Sequence, residues 1–504
     1  MSYSSPYSDI EIPHHDVFTH LFGDLTEEEA NSPALTELTT DDTITYGELK
    51  KLAESFAGAL AARGIGKGDV VTLQIPNSIN YAIALLGIVR AGATVSPLGV
   101  LMNQADVDKL LELSGAKYYV GITDIENMPQ IWSGEVRTLA QGNHPAPEVE
   151  ISADDVMAIP FSSGTTGLPK GVMLPHNAIV ANIEQTKFMH AQSGITEPIR
   201  VLSPLPFTHI YGMTTLLLTQ LSARNHVFTL PKFDLATFLE AHPKHQINFT
   251  FVAPPMVVAL AKHPSVTPEA FASTEYILSG AAPLDNDLAR TVEKKLDITM
   301  LQGYGMTETS PVTHVGVRGK AEPGSIGFAA PNTQFKFLEL ESETEVPAGE
   351  VGELTVKGPQ VMLGYLNNEE ATNEVMVSDG WMRTGDIGRL ADNGTTYIVD
   401  RAKEVIKYKG YQVAPAELEA LLLTHPDVAD VGVVGVDRDG LEIPHAFVVR
   451  AEGSDISAEE IIDWVATRVT PYKKVRAVDF IEQIPKNPSG KIERRKLRDL
   501  PSQS

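Results

Sequence analysis

Residues 162–171 hold three glycines, four hydroxyls and a lysine, the groups with which a backbone wraps a polyphosphate. Glycines such as Gly164 let the chain turn tightly and bring N–H groups to phosphate oxygens with no Cβ in the way. Ser162, Ser163, Thr165 and Thr166 add hydroxyl donors, and Lys170 adds a mobile positive charge for the outer phosphates. This is not a Walker loop, because Gly171 follows Lys170 where that pattern needs Ser or Thr, and the glycine spacing differs. By composition alone, a Gly/Thr surface loop that binds nothing is the other reading.

Four more segments carry residues able to do chemistry. In Gln302-Gly303-Tyr304-Gly305-Met306-Thr307-Glu308 a flat aromatic sits between glycines beside a hydroxyl and a carboxylate. Trp381-Met382-Arg383-Thr384-Gly385-Asp386 ends on a carboxylate able to accept from two hydroxyls at once. Asp after Thr-Gly also serves simply as a turn former. Asp400-Arg401-Ala402-Lys403-Glu404-Val405-Ile406-Lys407-Tyr408-Lys409-Gly410 is dense in charge, and its lysines fit a solvated linker equally well. Pro485-Lys486-Asn487-Pro488-Ser489-Gly490-Lys491 presents a lysine at the end of a loop framed by prolines.

These segments need a scaffold, and the chain has room for one. Its 504 residues exceed one ordinary core and imply two to four domains or subdomains. With 43% hydrophobic and 21% charged residues it reads as a globular protein. A net charge of −25 argues against a nucleic-acid surface, and an anionic substrate has to be met by local cations. Having no cysteine, it cannot form disulfides, thiolate zinc sites or a cysteine nucleophile. Residues 1–20 lack a basic start followed by an apolar run, and the apolar stretches at 83–89 and 216–218 are shorter than a spanning helix needs. The expectation is a cytoplasmic protein with no stable membrane insertion.

The pattern predicts α/β architecture. Thr45 and Glu48 form a capping box opening a helix, with Leu49, Leu52, Ala53, Phe56 and Leu60 on one face and Gly64 as a stop. Strand 70–75, helix 77–91 and strand 94–97 follow. The alternation recurs as a strand at 201, a helix over 214–221 and a strand over 227–230. Helices alternating with buried strands imply mostly parallel sheets covered on both faces. The domain boundary is expected near 400–404, after a strand over 394–399. Beyond it an α+β pattern is predicted, with a helix from Pro415, strands over 428–436 and 446–450, and a helix from Ala458.

With the motifs in this order the chain resembles the adenylate-forming enzymes: acyl-CoA synthetases, peptide-synthetase adenylation domains and firefly luciferase. Within that superfamily it is most similar to 4-coumarate–CoA ligases, especially bacterial cinnamate-type members. The supporting segments are Pro206-Phe207-Thr208-His209-Ile210-Tyr211-Gly212, Ser279-Gly280-Ala281-Ala282-Pro283-Leu284 and Gln412-Val413-Ala414-Pro415-Ala416-Glu417-Leu418-Glu419. The resemblance implies a large N-terminal adenylation domain over 1–400 built of several subdomains. It implies a mobile α+β C-terminal domain over 401–504, swinging about Lys403.

The same resemblance implies roles. Ser162, Ser163, Gly164, Thr165, Thr166 and Lys170 would hold the β and γ phosphates of ATP. Glu308 would bind Mg²⁺, a cation suited by hard oxygen ligands, and Thr307 would donate to the α-phosphate. Tyr304, with Gln302 and Gly303, would flank the adenine. Asp386 and Arg401 would contact the ribose. Lys407 and Gln412 would touch the adenylate, Gln412 and Lys403 on its acyl side. Lys491 would approach both the substrate carboxylate and the α-phosphate, and Lys409-Gly410 would meet the pantetheine of CoA. The acyl wall would comprise His209, Tyr211, Gly280, Ala281, Ala282, Gly303, Met306, Pro311 and Val312, with His209 either a pocket gate or a satisfied core histidine. Thr215 and Val315 depart from the plant-type pattern at the ring-hydroxyl end. Where related ligases place a basic residue for CoA after Leu221, this chain has Ser222 and then Arg224.

The activity so implied joins a carboxylic acid to CoA at the expense of ATP. An acyl-adenylate and pyrophosphate form first, then an acyl-CoA and AMP, with a cinnamate or 4-coumarate-type acid as substrate. A medium-chain fatty acid is the second choice. A loader passing the acid to a separate carrier protein and an inactive nucleotide-binding scaffold are the rival classes. Bacterial members also imply a protein acetyltransferase acting on Lys491.

Overall fold

The computed structural model describes residues 2–163, 169–196, 198–340, 342–402, 404, 406–409, 411–438, 441–486 and 492–500. Within it the chain forms two compact units. The larger comprises Tyr3–Phe335 and Val356–Met382, and the smaller comprises Met1–Ser2, Lys336–Thr355 and Arg383–Ser504.

In the larger unit, Thr45 accepts from the Glu48 amide and Glu48 reaches back to the Thr45 amide, so the predicted capping box opens helix Tyr46–Ala61. Strand Val70–Gln74, helix Ile79–Arg90 and strand Thr94–Pro97 follow as the apolar pattern requires. Val70–Gln74 pairs in parallel with both Thr94–Pro97 and Tyr118–Gly121, at the middle of a sheet. Among the described residues that sheet has eight strands and ends on Gly364–Tyr365, which lies against Pro169–Pro175. A second sheet has nine strands among the described residues. Its centre is the parallel run His226–Thr229, Arg200–Ser203, Phe249–Val252, Tyr276–Ser279 and Thr299–Gly305. Val252, Phe251, Phe228, Leu202 and Ile277 are buried in these strands, which are apolar on both faces because helices cover both.

One predicted helix differs from the structure. In place of 214–221, a π-helix spans Tyr211–Leu218 and continues as a short α-helix over Thr219–Ser222. The run is buried along its whole length, so no polar face marks its start in the sequence. Ser203 Oγ donates to the Leu216 carbonyl, one of the peptide groups in the π-helix.

In the smaller unit, Val428–Arg438, Leu441–Arg450 and Ala477–Phe480 form a three-stranded sheet. Helices Pro415–Leu423 and Ala458–Ala466 begin at the predicted residues, the first with proline at its opening position and the second with a Ser457–Glu460 capping box. Leu418, Leu422, Val431, Val433, Ala446, Ile461 and Val465 close the core. This is the expected α+β module. No helix among the described residues is long and apolar enough to cross a membrane.

Candidate active site

The glycine-rich segment is closed at its base by two strands. Phe161–Ser163 runs antiparallel to the start of Pro169–Pro175, with Ser162 opposite Lys170 and Ser163 opposite Pro169. Gly164, Thr165 and Thr166 lie outside the described residues, and Ser163 is described by its backbone alone. The Lys170 ammonium stands 4.9 Å from the ring centre of Tyr365. The Tyr365 phenol donates to Glu308 Oε1 at 2.9 Å. Burial, with Glu308 beside it, raises the pKa of that phenol. Tyr365 therefore joins two residues that the motifs assigned separately. No motif marks it, because it lies 57 residues from Glu308 in the chain.

Gln302, Gly303 and Tyr304 end strand Thr299–Gly305, and Thr307-Glu308-Thr309 is a single 3₁₀ turn. Glu308 is 5% exposed, and its carbonyl accepts from the Met362 amide. The Met306 amide donates to the Pro311 carbonyl, folding the segment back on itself. Gly305 has to be glycine here, since a Cβ would strike that carbonyl. Gln302 Oε1 accepts from the Leu284 amide. Tyr304 meets His314 edge-on, with ring centres 6.2 Å apart. Burial pulls the His314 pKa to about 3, so its imidazole is neutral near pH 7. Val312 is clamped by Asn182, which donates to its carbonyl at 2.7 Å and accepts from its amide at 3.0 Å. Neither His314 nor Asn182 was singled out by the motifs.

The residues expected to wall the acyl group, His209, Tyr211, Gly280, Ala281, Ala282, Gly303, Met306, Pro311 and Val312, all belong to the larger unit. The structure brings two of them into direct opposition: a Cβ on Gly280 would stand 2.8 Å from Tyr211 Cζ. Phe251 holds the Tyr211 ring edge-on at 5.9 Å. The Tyr211 hydroxyl is buried with no hydrogen-bond partner among the described residues, as are those of Thr214, Thr215 and Ser279. Ala281 adopts φ +71°, a left-handed conformation uncommon for a residue with a side chain. His209 is exposed, and its amide donates to the Pro206 carbonyl.

At the position noted for CoA, Ser222 bonds both Lys187 at 3.2 Å and His20 at 3.2 Å. Arg224 is committed elsewhere, to Asp24, Glu29 and the Leu21 carbonyl.

In the smaller unit, Asp386 lies opposite Arg401 across paired strands, Oδ1 to Nε 3.4 Å. Asp386 is well buried while Arg401 is partly exposed. Lys407 faces Gln412 across the hairpin of Ile406–Tyr408 and Tyr411–Val413, where these two are described by backbone alone. Lys409 has φ +50° at the turn and is exposed. Lys403, Gly410 and Lys491 lie outside the described residues. Asp400 accepts from the amides of Arg401 and Ala416, and burial raises its pKa to about 6. Arg494 binds Glu419 at 2.6 Å and Glu404 at 3.0 Å.

No group of three or more His, Asp or Glu side chains able to hold a metal occurs among the described residues. Glu308 offers one buried carboxylate, with Oε1 occupied by Tyr365. A single carboxylate oxygen completed by phosphate and water oxygens is the donor set in which Mg²⁺ travels with a nucleotide. The residues fit that cation.

A parallel-sheet unit in which the paired strands carrying Ser162 and Lys170 lie beside a Gly-Tyr-Gly-x-Thr-Glu turn that ends on the buried Glu308, with an α+β module after it, defines an adenylate-forming ligase. The chain belongs to the AMP-binding enzymes, whose family pattern matches residues 25–366, while residues 417–491 match the AMP-binding enzyme C-terminal domain. It is 36% identical to 4-coumarate–CoA ligase 1 of Solanum tuberosum over 98% of this chain and 96% of that one. ATP-bound MatB from Rhodopseudomonas palustris superposes with a TM-score of 0.89 at 27% identity, covering 97% of this chain and 99% of that one. The o-succinylbenzoate coenzyme A synthetase MenE of Bacillus subtilis, in complex with AMP, superposes at 0.84 with 27% identity over 97% and 99%. The protein is thus an ATP-dependent acid–CoA ligase of the adenylate-forming class, with a large N-terminal and a small C-terminal domain.

Proposed function

We propose that this ligase activates an aromatic acid of the cinnamate or 4-coumarate type. The carrying observation is the Tyr211 hydroxyl, buried against Gly280 with no hydrogen-bond partner among the described residues. Leaving such a group unsatisfied costs about 1–3 kcal/mol, a deficit that a ring hydroxyl of the substrate offsets. The missing side chain at Gly280 makes room for the Tyr211 ring, and Phe251 meets that ring edge-on, so the phenol is held in one place. The curated 4-coumarate–CoA ligase relatives support the same substrate class.

In the first half-reaction a carboxylate oxygen of the acid attacks the α-phosphorus of ATP, and pyrophosphate leaves. Ser162 and Lys170 hold the leaving phosphates, Thr307 donates to the α-phosphate, and Tyr304 flanks the adenine. Asp386 accepts from the ribose hydroxyls. When bound, Mg²⁺ supplies neutralising charge at the phosphate oxygens, and Glu308 holds it. Lys491 meets the charge that builds between carboxylate and phosphorus, an interaction of about 2.7–4 kcal/mol, so K491A slows adenylation by roughly 10²–10³. In the second half-reaction the CoA thiol displaces AMP from the acyl carbon, and Lys409 lines the approach. The domain boundary is assigned to 400/401, with Lys403 as hinge.

The test is exchange of labelled pyrophosphate into ATP, followed by mass spectrometry of CoA thioesters, across cinnamate, 4-coumarate, benzoate and octanoate. Preferential turnover of the two phenylpropenoic acids is expected. Faster turnover of octanoate or benzoate overturns the substrate assignment.

A further inference from the structure

We propose that Tyr365 is a positioning residue that commits Glu308 to one-oxygen coordination, so that the nucleotide site accepts a small octahedral cation and rejects a larger one. The inference rests on Glu308 being the metal ligand proposed above.

The Tyr365 phenol donates to Glu308 Oε1 at 2.9 Å, and among the described residues no other hydrogen bond reaches that carboxylate. Both residues are buried, at 6% and 5% exposure, so water does not readily replace the phenol. A cation held by Glu308 would therefore be met first by Oε2.

The backbone around Tyr365 is held from several sides. Residues Gly364–Tyr365 pair with Met173 and Val172, three and two positions beyond Lys170. The Leu366 amide donates to the Gly171 carbonyl at 2.7 Å, and the Leu363 amide to the Met173 carbonyl at 3.0 Å. The Met362 amide donates to the carbonyl of Glu308 itself at 2.9 Å. The Tyr365 amide donates to Thr372 Oγ1, close to Gly364, which has φ +146°. A Cβ on Gly364 would press on the Thr372 side chain. The backbone that carries the phenol is therefore fixed, which limits how far the ring can follow a carboxylate that turns to offer both oxygens.

Ca²⁺ takes 6–8 oxygens at 2.3–2.6 Å and readily binds a carboxylate through both, whereas Mg²⁺ demands six ligands at about 2.0–2.1 Å and accepts one carboxylate oxygen beside phosphates and water. A phenol proton on Oε1 withdraws electron density and one lone pair from that oxygen, which weakens the first mode and leaves the second intact. The face of the same ring carries the Lys170 ammonium, so one side chain organises both the cation ligand and the phosphate-binding lysine.

The test compares wild type, Y365F, E308Q and the double variant, with a non-hydrolysable α,β-methylene ATP analogue as ligand. Analogue affinity is measured by calorimetry in Mg²⁺ and in Ca²⁺, and Mn²⁺ binding is followed by electron paramagnetic resonance. Y365F is expected to lower the Mg²⁺/Ca²⁺ affinity ratio about tenfold, the size of one charge-assisted hydrogen bond. E308Q should abolish the preference, and the double variant should match E308Q alone, because Tyr365 acts only through Glu308. A wild-type ratio in Y365F with intact analogue binding overturns this proposal and leaves the ligase reading standing. A wild-type ratio in E308Q overturns it independently of how Y365F folds. No analogue binding by wild type with any cation sinks both readings together.

Discussion

Glu419 and Arg494 meet at 2.6 Å although 75 residues separate them, and their side chains are only 11% and 10% exposed. Arg494 Nε also donates to the Val433 carbonyl, whose own amide donates to Glu419 Oε1, so the pair closes a ring of bonds with the sheet. Removing the arginine strands a buried carboxylate, and breaking such a pair costs about 3–5 kcal/mol. R494A is therefore expected to destabilise the smaller unit by that amount. Denaturant unfolding read from Trp464, in a W132F/W381F background, measures it. A loss below about 1 kcal/mol would show the pair to be replaceable by solvent.

Asp400 gives the same region a pH dependence. Burial lifts its carboxyl from 3.8 to about 6, against the opposing pull of the Arg401 and Ala416 amides and of Arg494, while Glu404 adds to the rise. Below pH 4 the group is protonated in the folded and unfolded chains alike. Between pH 4 and 6 the unfolded chain ionises first, so stability falls as pH rises, by roughly 3 kcal/mol in all for a shift of this size. D400N removes the titration and is expected to flatten that fall. Unfolding free energies at pH 4.5, 5.5 and 6.5 decide it, and parallel profiles for the two proteins would assign the titration elsewhere.

Local chemistry made much of this fold legible. The Thr45–Glu48 box, the proline opening Pro415–Leu423 and the strand Thr94–Pro97 each depend on neighbours within a few residues, and each lies where the pattern put it. Glu308 and Tyr304 were found through one unbroken motif. What stayed hidden depends on partners distant in the chain. Asn182 grips Val312 across 130 residues, Tyr365 reaches Glu308 across 57, and Arg494 reaches Glu419 across 75. No periodicity encodes such pairs. The π-helix Tyr211–Leu218 is hidden for another reason: a buried apolar run has the same letters whether its amides bond four or five residues back.

Gly305 is the next site where a single atom should tell. Its Cα abuts the Pro311 carbonyl, which also accepts from the Met306 amide. Adding a methyl group forces the backbone apart between Tyr304 and Glu308, at an overpacking cost of about 1–3 kcal/mol. G305A is expected to keep the fold and to lose at least tenfold in adenylation, because catalysis tolerates little misplacement of its groups. A stopped-flow assay of pyrophosphate release measures it. Wild-type rates in G305A would mean that this turn does not shape the site.

The Tyr211–Gly280 opposition separates two explanations of acid selectivity. If the buried hydroxyl pairs with a ring hydroxyl, Y211F loses about 0.5–1.5 kcal/mol for 4-coumarate and nothing for cinnamate, up to tenfold in relative kcat/KM. G280A tests the space: its Cβ would stand 2.8 Å from Tyr211 Cζ and 2.9 Å from the hydroxyl, closer than real contacts permit. The ring must shift, so G280A should raise KM for both acids while the KM for ATP stays unchanged. Competition between the two acids in one reaction, read as a thioester ratio, removes differences in enzyme concentration. A Y211F ratio equal to that of wild type would show that the pocket reads the ring and ignores its hydroxyl, and the phenolic preference would have to be sought at Thr215 or Ser279, whose hydroxyls are also buried without partners among the described residues.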